Sequence, residues 1–307
     1  MGVRPCAFPL DPPHPHPLPF QRSSADSKTR RALAAGGQIV IVSEGEIFVL
    51  VMCLGVGLSF WVLWYRDILA VALRSSGFRE RWLLGVAPFA GGALLFWILR
   101  RYAASDVRDN WFYLLFYMAM GAFWVAVAAR LLPFFGIGAR DDVIERGNRA
   151  AAPAIAGALL GITLCFAGGN IGDGPGWWVV VFCGILSTGT LLVFWAFLDR
   201  LTGLADAITI DRDRAAGVRA AGFFLAAGLI LGRAVAGDWE GAGPTTIDFV
   251  RHGWPVAALL AAAVLLERPL RPSPEALDRP VLTHGLLPSL VYLGLGAAAV
   301  ELAGSWM

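Results

Sequence analysis

The chain is written in long apolar blocks separated by short polar ones. Neither Ile47 to Tyr65 nor Gly176 to Leu198 contains a charged residue. About 20 apolar residues in a helix cross the roughly 30 Å hydrocarbon core of a bilayer. Blocks of this kind predict eight transmembrane helices, over residues 46–66, 82–99, 111–132, 150–169, 176–198, 215–236, 248–267 and 284–303. The seventh has a short apolar stretch, Trp254 to Leu266, and must recruit residues near Asp248 and Arg251. The fold class expected is an all-α integral membrane protein. Its bundle runs over 42–303, as helical hairpins at 46–99, 111–169, 176–236 and 248–303.

The blocks also match one another at a fixed offset. Asn148-Arg149-Ala150-Ala151 aligns with Asp213-Arg214-Ala215-Ala216 at a shift of 65, and Ala156-Gly157 aligns with Ala221-Gly222 at the same shift. Shifting by 65 toward the N-terminus pairs Ala87-Pro88 with Ala152-Pro153, and Gly92-Ala93-Leu94-Leu95 with Gly157-Ala158-Leu159-Leu160. A degenerate fourth copy is placed near His284, with Pro288 in the position of Pro153. Two helices per repeat preserve orientation, so the repeats are expected to be parallel.

Character alternates between the helices. The third and fifth spans are bulky, with Trp111, Phe116, Phe123, Trp177, Trp178 and Trp195, whereas the fourth and sixth are rich in Ala and Gly. The small-residue motifs are Gly157/Gly161, Gly222/Ala226 and Gly228/Gly232. Small residues let helix backbones approach closely in lipid, where apolar surface gives no net drive to associate. The alternation predicts even-numbered spans inside and odd-numbered spans, Phe116 included, toward lipid.

Composition agrees with a bilayer setting: 57% of the 307 residues are hydrophobic and 16% are charged. A soluble domain carries about a quarter charged residues. The net charge of +2 gives no reason to expect nucleic acid as a partner. The four cysteines form no CxxC pair and read as small buried hydrophobes. Basic residues are distributed unevenly. The loops within hairpins hold fifteen Arg, among them Arg74, Arg140, Arg219 and Arg271, against five between hairpins. The positive-inside rule then puts the hairpin loops in the cytoplasm and both termini outside, in the periplasm of a bacterial inner (plasma) membrane. The N-terminal residues 1–41 stand apart. A Pro-rich stretch with His14 and His16 leads into basic residues up to Arg31. This composition reads as a disordered tail, and its charge opposes the orientation, so a true start near Ser43 is the expectation.

Gly147-Asn148-Arg149-Ala150-Ala151-Ala152, followed by Ala156-Gly157-Ala158-Leu159-Leu160-Gly161, resembles the repeat unit of the domain of unknown function 350 family of bacterial inner-membrane proteins. Asp213-Arg214-Ala215-Ala216-Gly217 with Ala221-Gly222 resembles it too. The likeness covers about 111–240. The first and last hairpins lack that start, with Leu83 and Leu84 where Asn148 and Arg149 stand in the next copy. The resemblance implies fold and location; it brings no activity.

Candidate chemistry is sparse. Asn148 and Asp213 occupy equivalent positions at the cytoplasmic starts of the fourth and sixth spans. They read either as helix caps or as a polar pair facing a vestibule and binding a cation or a partner. Arg149 and Arg214 read as topology determinants. Asp173 and Asp238 hold equivalent positions at the outer ends, where the glycine-rich run around Asp173 predicts a tight turn. Arg130, Arg233, Asp248, Arg251, Glu267 and Glu301 lie within a turn or two of predicted ends, where snorkelling accounts for them. No charge is placed at the midplane, which argues against a proton relay. No catalytic site, metal or cofactor is expected. Two functions stay open: a transporter or channel for a small solute or ion, and a scaffold acting through arginine-rich cytoplasmic loops. The partner beyond the lipid bilayer is left as a second copy or an unidentified membrane or cytoplasmic protein.

Overall fold

The computed structural model describes residues 31–35, 38–72, 78–271 and 280–304. The chain forms two compact units, 1–44 and 45–307. In the first, strands β1 (Arg31–Ala35) and β2 (Gln38–Val42) pair antiparallel, with Ala35 opposite Gln38. The disordered tail expected over 1–41 otherwise lies outside the described residues.

The second unit is helical: α1 (Glu44–Ala72), α2 (Phe78–Tyr102), a short α3 (Ser105–Arg108), α4 (Trp111–Leu131), α5 (Ala151–Gly168), α6 (Trp177–Thr202), a short α7 (Leu204–Thr209), α8 (Arg214–Ala234), α9 (Ala242–Gly253), α10 (Pro255–Leu270) and α11 (Leu287–Leu302). Among the described residues, eight segments are long and apolar enough to cross a membrane: Glu44–Ala70, Arg81–Tyr102, Trp111–Phe135, Ala151–Gly168, Trp177–Thr202, Arg214–Ala234, Ala242–Leu270 and Leu282–Leu302. The chain is a multi-pass membrane protein whose spanning segments are all α-helical. The seventh span is α9 and α10 joined at Trp254. Pro255, which needs no amide donor at a helix start, opens the second piece.

The even-numbered spans stand in a row, α2, α5, α8 and α11, with α5 and α8 at its centre. Most of the two central spans is buried, 83% and 78% of their most apolar windows. They run parallel and touch backbone to backbone. Gly157 faces Ala221, Gly161 faces the Phe224 carbonyl, Gly168 meets Gly232, and Gly217 meets the Ala150 carbonyl. A methyl group added at Gly228 would sit 2.5 Å from the Gly161 carbonyl oxygen, and one at Gly232 2.5 Å from that of Leu164. On the other side of α8, a methyl on Gly222 would lie 2.6 Å from the Ser289 Cβ of α11, and Ala226 faces Gly296. The packing glycines expected from the sequence therefore form the seams of the row.

The inside–outside rule holds only for the central pair. The windows of α2 and α11 are 33% buried, less than the 50% of α4 and α6. They are the two ends of the row, and one side of each is left open. The bulky helices are correspondingly two-faced. Trp111, Leu115, Trp178 and Phe197 are exposed, but Phe116 is 1% exposed and Trp195 fully buried. Trp195 stacks on Phe224 at 4.6 Å and donates its indole N–H to the Phe135 carbonyl at 2.9 Å. Large side chains on one face of α4 and α6 fill the gaps that the alanine-rich helices leave.

Candidate functional site

Arg219 sits in the second turn of α8 with no exposed surface. Its position follows from periodicity. Ala216, Arg219, Ala220, Phe223, Ala226, Ala227 and Ile230 form the buried stripe of the helix. An unpaired guanidinium there would be costly, and a carboxylate from another span answers it. Val256, Leu259, Ala263 and Glu267 form the buried stripe of α10, at spacings of three and four, so Glu267 points inward onto α8. The Arg219 Nε donates to both Glu267 carboxylate oxygens, at 2.8 and 2.9 Å. The Tyr292 hydroxyl of α11, itself buried, donates to Glu267 Oε1 at 3.4 Å.

Pro288 provides a third contact. Proline carries no N–H, so the carbonyl four residues earlier loses its helical donor. That carbonyl belongs to His284, within the π-helical turn Leu282–Leu286, and Arg219 NH1 donates to it at 2.7 Å. Pro88 acts in the same way in α2, where the Leu84 carbonyl accepts the Trp64 indole N–H at 3.2 Å. The remaining guanidinium nitrogen, Arg219 NH2, is 3.8 Å from Asp213 Oδ2, beyond hydrogen-bond reach. Both atoms are buried without a hydrogen-bond partner.

Asp213 also caps α8, its Oδ1 accepting from the Ala215 amide at 2.9 Å. Asn148 Oδ1 likewise accepts from the amide two residues on, Ala150, at 2.9 Å, but α5 begins at Ala151 without a side-chain cap. The amides of the two residues bond the carbonyls six positions earlier, Asp142 and Ala207, at 2.8 and 2.9 Å. Beyond that their surroundings differ. Asn148 donates through Nδ2 to the Ile208 carbonyl at 2.8 Å, whereas Asp213 faces Arg219. Arg149 and Arg214 are exposed. At the opposite end of α5 and α8, Asp173 and Asp238 are exposed and tied together. The Asp238 carboxylate accepts the Asp173 amide at 2.8 Å, and the Trp239 amide donates to the Asp173 carbonyl at 2.8 Å. These bonds tie the loop after α5 to the loop after α8.

Glu267 does not snorkel as expected; it turns inward because Arg219 is there. Arg219, counted in the sequence as a loop charge, is the centre of the cluster. Glu267 and Tyr292 become members only when their stripes are extended to include polar residues. One further match exists in the sequence: Asp278-Arg279 lies 65 positions after Asp213-Arg214. It lies outside the described residues.

No curated protein and no solved structure matches the chain. A family model, Domain of Unknown Function (DUF350), matches residues 106–235, a stretch that includes α4, α5, α6 and α8. It takes in Asn148, Asp213 and Arg219 but ends before Glu267 and Tyr292, so the cluster joins that domain to the last hairpin. Over residues 106–235, under half of its length, this membrane protein is similar to the Domain of Unknown Function (DUF350) family.

Proposed function

We propose that the protein is a transporter for a small solute or ion in the bacterial inner membrane, without enzymatic activity. In this reading parallel repeats of about 65 residues build the bundle, the hairpin loops face the cytoplasm, and both termini lie outside. The observation that carries it is the sealed Asp213–Arg219–Glu267–Tyr292 cluster. Ionisable groups in a membrane interior are expensive, and they mark pathways, relays or coupling sites. The matching bonds from Asn148 and Asp213 to the amides two residues on support the repeat.

The seam between α5 and α8 supports the scaffold alternative, since backbone contact there leaves no passage between the two helices. Polar passage in the transport reading runs beside α8, toward α10 and α11, where the cluster sits. Reconstituted vesicles separate the two readings. Electrogenic or solute flux that falls at least tenfold in Arg219→Met, with the variant still inserted, supports transport. Flux equal to that of empty vesicles for the unaltered protein, across a panel of ions and small solutes, leaves the scaffold.

A further inference from the structure

Formal charge in the cluster does not balance. Arg219 supplies one positive charge, while Asp213 and Glu267 supply two negative ones as carboxylates. Among the described residues, no other ionisable side chain is bonded to these three in a way that corrects this. Tyr292 on α11 is a hydrogen-bond donor to Glu267, and His284 contributes only its backbone carbonyl. The His284 ring lies at 2.8 Å from the Thr283 hydroxyl. On the α6 side, Asp199 accepts the Ala205 amide and takes no part. The α7 segment meets Asp213 through the Ala207 carbonyl. A surplus buried negative charge, removed from water, is costly, and two carboxylates sharing one site avoid double ionisation by keeping a proton.

The geometry points to a single exchangeable proton held by the Asp213–Arg219–Glu267 cluster. This rests on reading the cluster as the functional centre, but proton occupancy is measurable whether or not a solute moves. Glu267 is already engaged by the guanidinium Nε and the Tyr292 hydroxyl, whereas Asp213 Oδ2 is buried and unpartnered beside Arg219 NH2. The arrangement is that of the protonated cluster. Arg219 is committed to α10, and Asp213 stands back at 3.8 Å. Loss of the proton leaves two carboxylates competing for one guanidinium, and Arg219 NH2 closes on Asp213. Uptake and release thus move Arg219 between a carboxylate at the start of α8 and one on α10.

Infrared difference spectroscopy on the full chain in vesicles tests this. A pH step should reveal a protonated-carboxyl stretch that shifts in heavy water. Asp213→Asn keeps the helix cap, and Glu267→Gln keeps the shape. Either change leaves the cluster without surplus charge, so each should abolish that band. A band that survives in either variant, or that is missing from the unaltered protein, overturns the proposal. Dye-detected proton release on a pH jump gives an independent reading, expected to be about one proton fewer per chain in Asp213→Asn. Equal release overturns the proposal. Stabilisation of the unaltered protein by sodium, with no carboxyl band, would name a metal cation instead and also overturns it. A band present with no flux in any vesicle assay would leave the proton site standing and remove the transporter.

Discussion

Replacing Arg219 with methionine keeps most of the side-chain volume and removes the charge. Glu267 is then left buried with only the Tyr292 hydroxyl as donor, and the His284 carbonyl loses its partner. Breaking a buried ion pair from one side costs about 3–5 kcal/mol, and the lost hydrogen bond to a neutral carbonyl adds about 1 kcal/mol. At a few degrees per kcal/mol, the unfolding midpoint in detergent should fall by on the order of 10 °C. Arg219→Lys should fall between the two, because an ammonium cannot reproduce the fork that reaches Glu267 and His284 together. The informative variant is the double one, Arg219→Met with Glu267→Met. Removing both partners of a buried pair is often neutral or stabilising. Its midpoint should therefore recover to that of the unaltered protein while flux stays lost. The assay is thermal unfolding monitored by tryptophan fluorescence, with flux on the same preparations. A single variant as stable as the parent would show that Arg219 reaches water. A double variant no better than the single would show that Glu267 is not its partner.

Gly161→Leu should destabilise by about 1–3 kcal/mol or more, because its side chain would be driven into the Phe224 backbone; an unchanged midpoint in detergent would contradict the α5–α8 seam. A reporter active only in the periplasm should be active when fused after Gly304 and silent in the loop at Asp206, and the reverse pattern would overturn the charge-based orientation.

The spans were legible because lipid forces continuous apolar runs: the first, expected over 46–66, is found at Glu44–Ala70, and the fourth, expected over 150–169, at Ala151–Gly168. The seams were legible too, since Gly157, Gly161, Gly222 and Gly228 lie where backbones meet. What composition could not reveal was facing. Phe116 and Trp195 are as apolar as a lipid-facing residue would be, and only their neighbours decide that they point inward. Arg219 was hidden for a different reason. It lies so close to the start of α8 that it counts as a loop charge, and its partners come from helices that begin much later in the chain. Glu267 lies 48 residues away, and no local pattern links the two.

Rigidity in the row narrows what could move. The α5–α8 seam is made of backbone against backbone, and sliding would drive Phe224 or Ala221 into the opposing helix. The α8–α11 seam is similar, with Gly222 against Ser289, whose hydroxyl also donates to the Val218 carbonyl at 2.8 Å. Neither seam can change without overlap of atoms that are not on flexible side chains. The seventh span differs. It breaks at Trp254, and only 28% of its most apolar window is buried. Its hold on α8 includes the charge pair between Arg219 and Glu267. If that pair is weakened, as when Arg219 turns toward Asp213, α10 loses its ionic tie to α8 and keeps its apolar packing through Val256, Leu259 and Ala263, while α5, α8 and α11 stay locked. A transport cycle built on this chain would therefore rock α10 against a fixed row, with the proton on the cluster setting which carboxylate holds the guanidinium.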